Sequence, residues 1–460
     1  MASGFRRKHV AAALSESYLV WYRQLPMSSR TVLDSPYIEG EAARQRPARS
    51  LRLNFSWTLA GNVVYAATQW GILVLLARLG SPEAVGQFSL GLAVAAPVML
   101  FANLSLRAVQ ATDARLEFQF RDYAGLRILM TLLAACVICG VGAVLYRGGT
   151  ALAVAAFALS KGIESLSDLV YGLWQQQERM DLIAKSLVLR GVLALAATAV
   201  GFAVFQTVWI AVCGMAAAWA GVFVFFDVRR GVTVARQIGQ TVVPRFSPAR
   251  MRQLFRLSLP LGIVAMFISF NANVPRYMIS HFRSIRELGI FSALGYILMA
   301  GTMIIAALGQ SATPRLALFA SQGETREFRR LSSRLLLIGA GMGVGGVLAA
   351  LVCGRRIIAM IYGREYAQDS HLFLWLMIAA ATGYAASFAG YSLTAARHFQ
   401  VQMPLFSAIT VLTLALCYVM VKSGGAVGAA QALTIIGIVQ LVAILATLWR
   451  AEARRQAGPS

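Results

Sequence analysis

The residues best placed to do chemistry lie in one run: Ser160-Lys161-Gly-Ile-Glu164-Ser165-Leu-Ser167-Asp168-Leu-Val-Tyr171-Gly-Leu-Trp174-Gln175. Lys161, Glu164, Asp168, Tyr171 and Gln175 recur at i, i+3, i+7, i+10 and i+14, which places them on one face of a helix. Apolar residues surround the stripe, and Lys161 lies about 16 Å into an apolar span at ~1.5 Å per residue, near the middle of a bilayer. A charge at that depth costs at least ~2.5–3.5 kcal/mol unless it pairs or meets water. Two readings follow. In one, Lys161 contacts an anionic substrate in a wet cavity, while Glu164 or Asp168 tunes it or takes a proton. In the other, a Lys161–Glu164 pair locks this helix to a neighbour.

Other polar residues inside apolar runs extend the candidate site. Arg276 closes Asn271-Ala-Asn273-Val-Pro275-Arg276, where the proline can loosen the backbone around a ligand. Arg107 sits near the end of a span and either binds substrate or snorkels to headgroups. Thr58, Asn62, Tyr65 and Gln69 form an uncharged stripe that suits sugar hydroxyls, or equally helix–helix hydrogen bonds. Substrate contacts are therefore expected from Arg276, Lys161, Arg107, Asn62 and Gln69, with Glu164 and Asp168 as cavity charges. Arg127, Arg190 and Arg334 are expected to snorkel, and Asp227 to form a boundary pair with Arg229.

Several chemistries are excluded. No G-x-x-x-x-G-K-[ST] loop is present, nor a G-x-S-x-G elbow, and His9, His281, His371 and His398 are scattered. Cys136-Val-Ile-Cys139 has redox spacing but lies in a span with no nearby histidine, so two small apolar residues are the plainer account. No enzyme activity, metal or cofactor is expected.

The elements that hold these residues must be membrane helices. The 460 residues are 58% hydrophobic and 13% charged, with mean hydropathy +0.65. A soluble fold cannot hide that much apolar surface. Twelve runs are long enough to cross ~30 Å of hydrocarbon, at about 55–78, 85–110, 123–146, 150–175, 183–206, 208–228, 254–280, 286–312, 332–353, 368–395, 402–421 and 426–449. Pro97, Pro260 and Pro275 are expected to kink helices rather than end them.

Net charge is +23, yet the basic residues gather in loops, so positive-inside topology explains them and nucleic acid is not an expected partner. One set of loops and both termini hold 27 Lys and Arg residues; the opposite loops hold 8, namely Arg78, Arg147, Arg283, Arg286, Arg355, Arg356, Arg364 and Lys422. Both termini are thus expected in the cytoplasm. The expected organisation is a basic tail (1–52), a six-helix lobe (53–228), a cytoplasmic linker (229–253), a second six-helix lobe (254–450) and a short tail (451–460). The first tail either lies on anionic membrane lipid through Arg6, Arg7 and Lys8, or is a disordered tail or an upstream start ahead of Met27. The linker is a candidate hinge.

Two tetrapeptides tie the lobes together. Gly86-Gln-Phe-Ser89 and Gly289-Ile-Phe-Ser292 each follow one apolar helix and open another, 203 residues apart. Repeated halves of hydrophobic helices are a transporter signature.

With these features in view, the chain resembles Wzx-type polysaccharide flippases of the multidrug/oligosaccharidyl-lipid/polysaccharide (MOP) superfamily. The resemblance covers about residues 52–450. It rests on Asn54-Phe-Ser-Trp57, Ala77-Arg78-Leu-Gly80, Gly86-Gln-Phe88, Leu106-Arg107, Thr112-Asp113-Ala-Arg115, the run from Tyr171 to Arg179, and Pro275-Arg276-Tyr277. It implies an all-α fold of about twelve transmembrane helices in two lobes around a central cavity, working by alternating access in the bacterial inner membrane. The implied substrate is a polyprenyl-diphosphate-linked oligosaccharide, with a polysaccharide polymerase and glycosyltransferases as implied partners. Pro275 stands where relatives often carry an acidic residue. The alternatives are a cation-coupled drug or metabolite exporter of the same superfamily, a lipid II flippase, and a non-transporting scaffold for glycan assembly.

Overall fold

The computed structural model describes residues 51–113, 117–396 and 399–456. Two compact units emerge, 1–53 and 54–460; in the first only 51–53 are described, so the readings of the basic tail ahead of residue 51 lie outside the described residues.

Among the described residues the architecture is all helical. In chain order the helices are α1 (Leu51–Leu79), α2 (Pro82–Asn103), α3 (Leu106–Thr112), α4 (Phe120–Leu145), α5 (Gly148–Gln176) and α6 (Met180–Phe205). Next come α7 (Val208–Val222), a π-helical turn (Phe223–Val228) and α8 (Arg229–Gln237). The rest are α9 (Pro248–Phe282), α10 (Ile285–Gln322), α11 (Thr325–Tyr362), α12 (Ser370–Ala395) and α13 (Phe399–Gln456). Local chemistry fits the starts. Pro82 and Pro248 occupy first-turn positions where no N–H is needed, and the Ser284 hydroxyl caps α10 by accepting from the Glu287 N–H at 3.1 Å.

Among the described residues, ten helices are long and apolar enough to cross a membrane. Helix α5 has the length but carries Lys161, Glu164 and Asp168, and α13 joins two helices across Gly425 (φ 59°, ψ −140°), a conformation that suits glycine. With those two features the bundle is compatible with the twelve expected spans. Large apolar side chains point outward along it, among them Val144, Phe225, Ile268, Leu337 and Val352. This is a multi-pass membrane protein, with lipid as the solvent for those faces.

Three expectations are corrected. Span two is not one helix: it breaks at Leu104 and Ser105, both at φ 49°. Two consecutive non-glycine residues in that region cost on the order of 1–3 kcal/mol each, so tertiary packing must hold them. Leu104 is fully buried beside Gly262 of α9. Span six runs on through the π turn and α8 to Gln237, and α9 starts at Pro248, so the linker expected over 229–253 shrinks to 238–247. That linker is tied to the first half: Arg245 N donates to Arg121 O at 2.9 Å, and Gln240 accepts from Phe120 N at 3.0 Å. Lastly, α13 continues past Arg450 to Gln456, where a short tail was expected. The prolines behave as expected in one respect: Pro97, Pro260 and Pro275 all lie inside continuous helices.

Helix α2 is the axle of the fold. It packs on α5 in its own half and on α9 and α10 in the other. At one end of the bundle, called here the distal end because it lies opposite the linker, the two repeat tetrapeptides meet. A Cβ on Gly86 would fall 1.9 Å from Ile285 O, and one on Gly289 would fall 1.7 Å from Pro82 O. The contact is reciprocal: each glycine packs on the residue four before its counterpart. Only glycine permits backbones so close. Around this crossing Arg286 bonds Glu83 at 3.1 Å and Glu365 at 2.5 Å, and Trp70 Nε1 donates to Tyr362 OH at 3.0 Å. Arg78 donates to the carbonyls of Ile361 (2.8 Å) and Ala359 (3.3 Å). These contacts join the two halves at the distal end.

Candidate functional site

The α5 stripe is the spine of a charge network inside the first half. At its middle Lys161 Nζ bonds Glu164 Oε2 at 2.6 Å, and Tyr65 OH of α1 donates to Glu164 Oε1 at 3.1 Å. Trp219 of α7 offers its ring to two cations, Lys161 at 5.7 Å and Arg190 of α6 at 4.7 Å. Arg190 donates to Tyr171 OH at 3.4 Å, and Ser186 Oγ donates to Asp227 Oδ1 at 2.6 Å. Because the single serine proton is spent on Asp227, Tyr171 must donate to Ser186 across their 2.6 Å contact. A directional chain therefore runs Arg190, Tyr171, Ser186, Asp227. It ends in the π turn, a distortion that recurs at functional positions.

Nearer the linker end, Asp168 bridges two arginines: Arg107 at 3.2 Å and Arg127 at 3.3 Å. Arg107 also donates to Gln175 Oε1 at 2.9 Å and lies 5.6 Å from the Tyr171 ring centre. Arg127 is completely buried and donates to Ser165 Oγ at 3.3 Å and to Asn103 Oδ1. Asn103 is the last residue of α2, so the helix break delivers one end of this network and Arg107 just beyond it. Broken helices inside a membrane are tolerated where protein or water satisfies them, and they mark binding sites in transporters.

Four cations (Lys161, Arg190, Arg107, Arg127) thus face two carboxylates, Glu164 and Asp168, a surplus of two; Asp227, reached through Ser186, lowers it to one. The network is not sealed. Side-chain exposure is 21% for Lys161, 30% for Glu164, 29% for Asp168 and 35% for Arg107. One edge therefore stays accessible while Arg127 and Arg190 are locked behind it. The arrangement can hold an anion at that edge with little reorganisation.

The expected residues divide accordingly. Lys161, Glu164, Asp168 and Arg107 come together. The Lys161–Glu164 pair exists, but it lies within one helix and so does not itself tie α5 to a neighbour; Tyr65 does that. Arg107 turns inward rather than snorkelling. Arg276 bonds Asn273 Oδ1 of its own helix at 2.7 Å, and no hydrogen bond or ion pair joins it to the first-half network. Asn62 is exposed on α1, and Gln69 keeps a buried Nε2 without a partner. Three residues differ from expectation: Arg127 and Arg190 do not snorkel, since they are 0% and 1% exposed, and Asp227 is fully buried on Ser186 rather than paired at the boundary. For the two arginines depth was the available signal, about 10 Å from the start of α4 for Arg127 and about 15 Å from the start of α6 for Arg190 at ~1.5 Å per residue, with carboxylates on neighbouring spans.

Comparison with known proteins gives the same fold. The family described as "Polysaccharide biosynthesis protein" matches over residues 51–319. The chain is 22% identical over 392 residues to "Capsular polysaccharide biosynthesis protein CapF" of Staphylococcus aureus, covering 85% of this chain and 97% of that one. Among solved structures it is similar to an inward-facing multidrug resistance MATE family transporter of the MOP superfamily, at 13% identity and TM-score 0.66, covering 87% of this chain and 100% of that one. It is also similar to lipid II flippase MurJ in an inward closed conformation, at 12% identity and TM-score 0.66, covering 86% and 87% of the two chains.

Proposed function

Since this chain belongs to the family described as "Polysaccharide biosynthesis protein", we propose that it is a flippase for a polyprenyl-diphosphate-linked oligosaccharide. It carries that lipid from the cytoplasmic to the periplasmic leaflet of the bacterial inner membrane by alternating access. The observation that carries the reading is the cation-rich network on α5, accessible along one edge at mid-membrane depth. A diphosphate leaving the headgroup layer needs charged donors, and guanidinium groups supply them with directional bonds.

In this reading the distal end is periplasmic and both termini are cytoplasmic. The Gly86–Gly289 crossing is the outer gate, closed while substrate loads from the cytoplasmic side. The two six-helix lobes move against each other about the α2–α9 seam. Arg276 on α9 is brought to the diphosphate from the second lobe, which raises the local cation surplus again. Asn62 and Gln69 on α1 face the sugars. With the cell interior negative, outward movement of about two uncompensated negative charges is favoured by ~2.3 kcal/mol per charge per 100 mV, so the potential can assist export.

Two measurements test this. A strain lacking the protein is expected to accumulate a diphosphate-linked oligosaccharide on the cytoplasmic leaflet; an unchanged polyprenyl-lipid pool would turn the case toward the exporter or scaffold. Arg276→Ala is expected to remove surface polysaccharide while leaving membrane insertion intact, and full activity would remove Arg276 from the site.

A further inference from the structure

Eight Lys and Arg residues lie in the distal loops and helix ends, against the usual bias toward the other side. Several have evident structural partners. Arg78 caps the carbonyls at the end of α11, Arg283 donates to the carbonyls of Val421 (3.2 Å), Lys422 (3.1 Å) and Ser423 (2.9 Å), and Arg286 takes Glu83 and Glu365. Arg355, Arg356 and Arg364 differ. Among the described residues none of the three has a hydrogen bond or ion pair, yet all three line one cavity of about 960 Å³ between α11 and α12. His371 and Gln368 complete its polar wall, and Val352, 80% exposed, forms part of its apolar side.

Three like charges gathered without a counter-ion repel one another, and an anion of matching charge relieves that repulsion. Arg355 lies seven residues before the end of α11 at Tyr362, about 10 Å at ~1.5 Å per residue, while Arg364 lies beyond that end. The cations are therefore spread along the membrane normal. A charge of three suits the two phosphates of a diphosphate better than the single charge of a phosphodiester. The apolar wall suits a ligand that remains anchored in lipid.

Resting on the flippase reading, we propose that this cavity is a second, distal site that takes the diphosphate of the polyprenyl-linked lipid on the receiving face. It is separate from the α5 network and holds the product after transfer. Arg355, Arg356 and Arg364 supply the charge, and His371 and Gln368 supply further hydrogen bonds. Product held there cannot fall back into the open cavity, which favours net export.

The test uses the purified full chain in nanodiscs of zwitterionic lipid, titrated separately with undecaprenyl diphosphate and phosphatidylglycerol. Each titration compares the unaltered chain, R355Q/R356Q/R364Q and K161A/R276A. The three arginines are exposed and unpaired, so their replacement leaves the fold intact, checked by an unchanged unfolding temperature. The expected result is two undecaprenyl diphosphate binding components in the unaltered chain, of which one is weakened at least ten-fold in the arginine triple variant and retained in K161A/R276A. Equal binding by the triple variant and the unaltered chain would overturn the proposal. So would phosphatidylglycerol binding as tightly and being lost in the same variant, which would make the cavity a phospholipid site. These readouts measure binding alone, so they stay distinct from the deletion-strain result on which the flippase reading stands.

Discussion

Replacing Gly289 with valine is expected to abolish export while leaving the protein inserted in the membrane. A Cβ there would sit 1.7 Å from Pro82 O and 2.8 Å from Gly86 N. Both are backbone atoms, so no side-chain rotation relieves the clash and α2 and α10 must separate. Overpacking of this kind costs about 1–3 kcal/mol. Near the upper end it shifts the balance between closed and open distal gates by about 100-fold, at ten-fold per ~1.4 kcal/mol. The readout is accessibility. In a background with Cys136, Cys139, Cys213 and Cys353 replaced, the last of which lines the distal cavity, a cysteine at Asn62 should become labelled by an impermeant reagent added from the periplasmic side. Gly341→Val is the control, since nothing lies within 4 Å of a Cβ built there. Unchanged labelling together with full export would show that the glycine crossing is not the gate. Gly86→Val should reproduce the Gly289 result, because the contact is reciprocal.

That reciprocity explains why part of the fold was legible beforehand. Gly86 and Gly289 stand 203 residues apart, and so do Glu83 and Arg286, which form an ion pair across the same crossing. A repeat in the chain became a near-symmetric contact in space, because both copies need glycine where the halves touch. The α5 face was legible for a similar reason: five polar residues at helical spacing in apolar surroundings have few other uses. What lay hidden was direction. An arginine seven residues into a helix can reach back to headgroups or turn inward, and only the neighbours decide. For Arg127 those neighbours are Asp168, Ser165 and Asn103, contributed by two other helices. The break at Leu104 and Ser105 was hidden more deeply. Neither residue favours positive φ, and the conformation is held by burial of Leu104 against Gly262, a contact made 158 residues away in the chain.

Asp168→Ala and Lys161→Ala are expected to separate scaffold from substrate contact within one stripe. Asp168 is the only carboxylate bonded to Arg127 among the described residues, and Arg127 has no exposure to water. Breaking a buried pair from one side leaves an uncompensated charge at a cost of about 3–5 kcal/mol; the partial exposure of Asp168 points to the lower end. Asp168→Ala should therefore lower the unfolding temperature in detergent as well as remove export. Pairing it with Arg127→Met should restore much of the stability, since apolar replacement of both partners is often neutral, while export stays lost. Lys161 differs because removing it leaves Glu164 with the Tyr65 hydroxyl at 3.1 Å and a partly exposed edge. Lys161→Ala should keep its unfolding temperature and still lose export, because the cation missing is one the diphosphate would have met. If both single variants unfold at the same lowered temperature, Lys161 belongs to the scaffold and the anion must be held elsewhere. If Lys161→Ala alone keeps its stability and loses transport, the accessible edge of α5 is where the substrate charge is received.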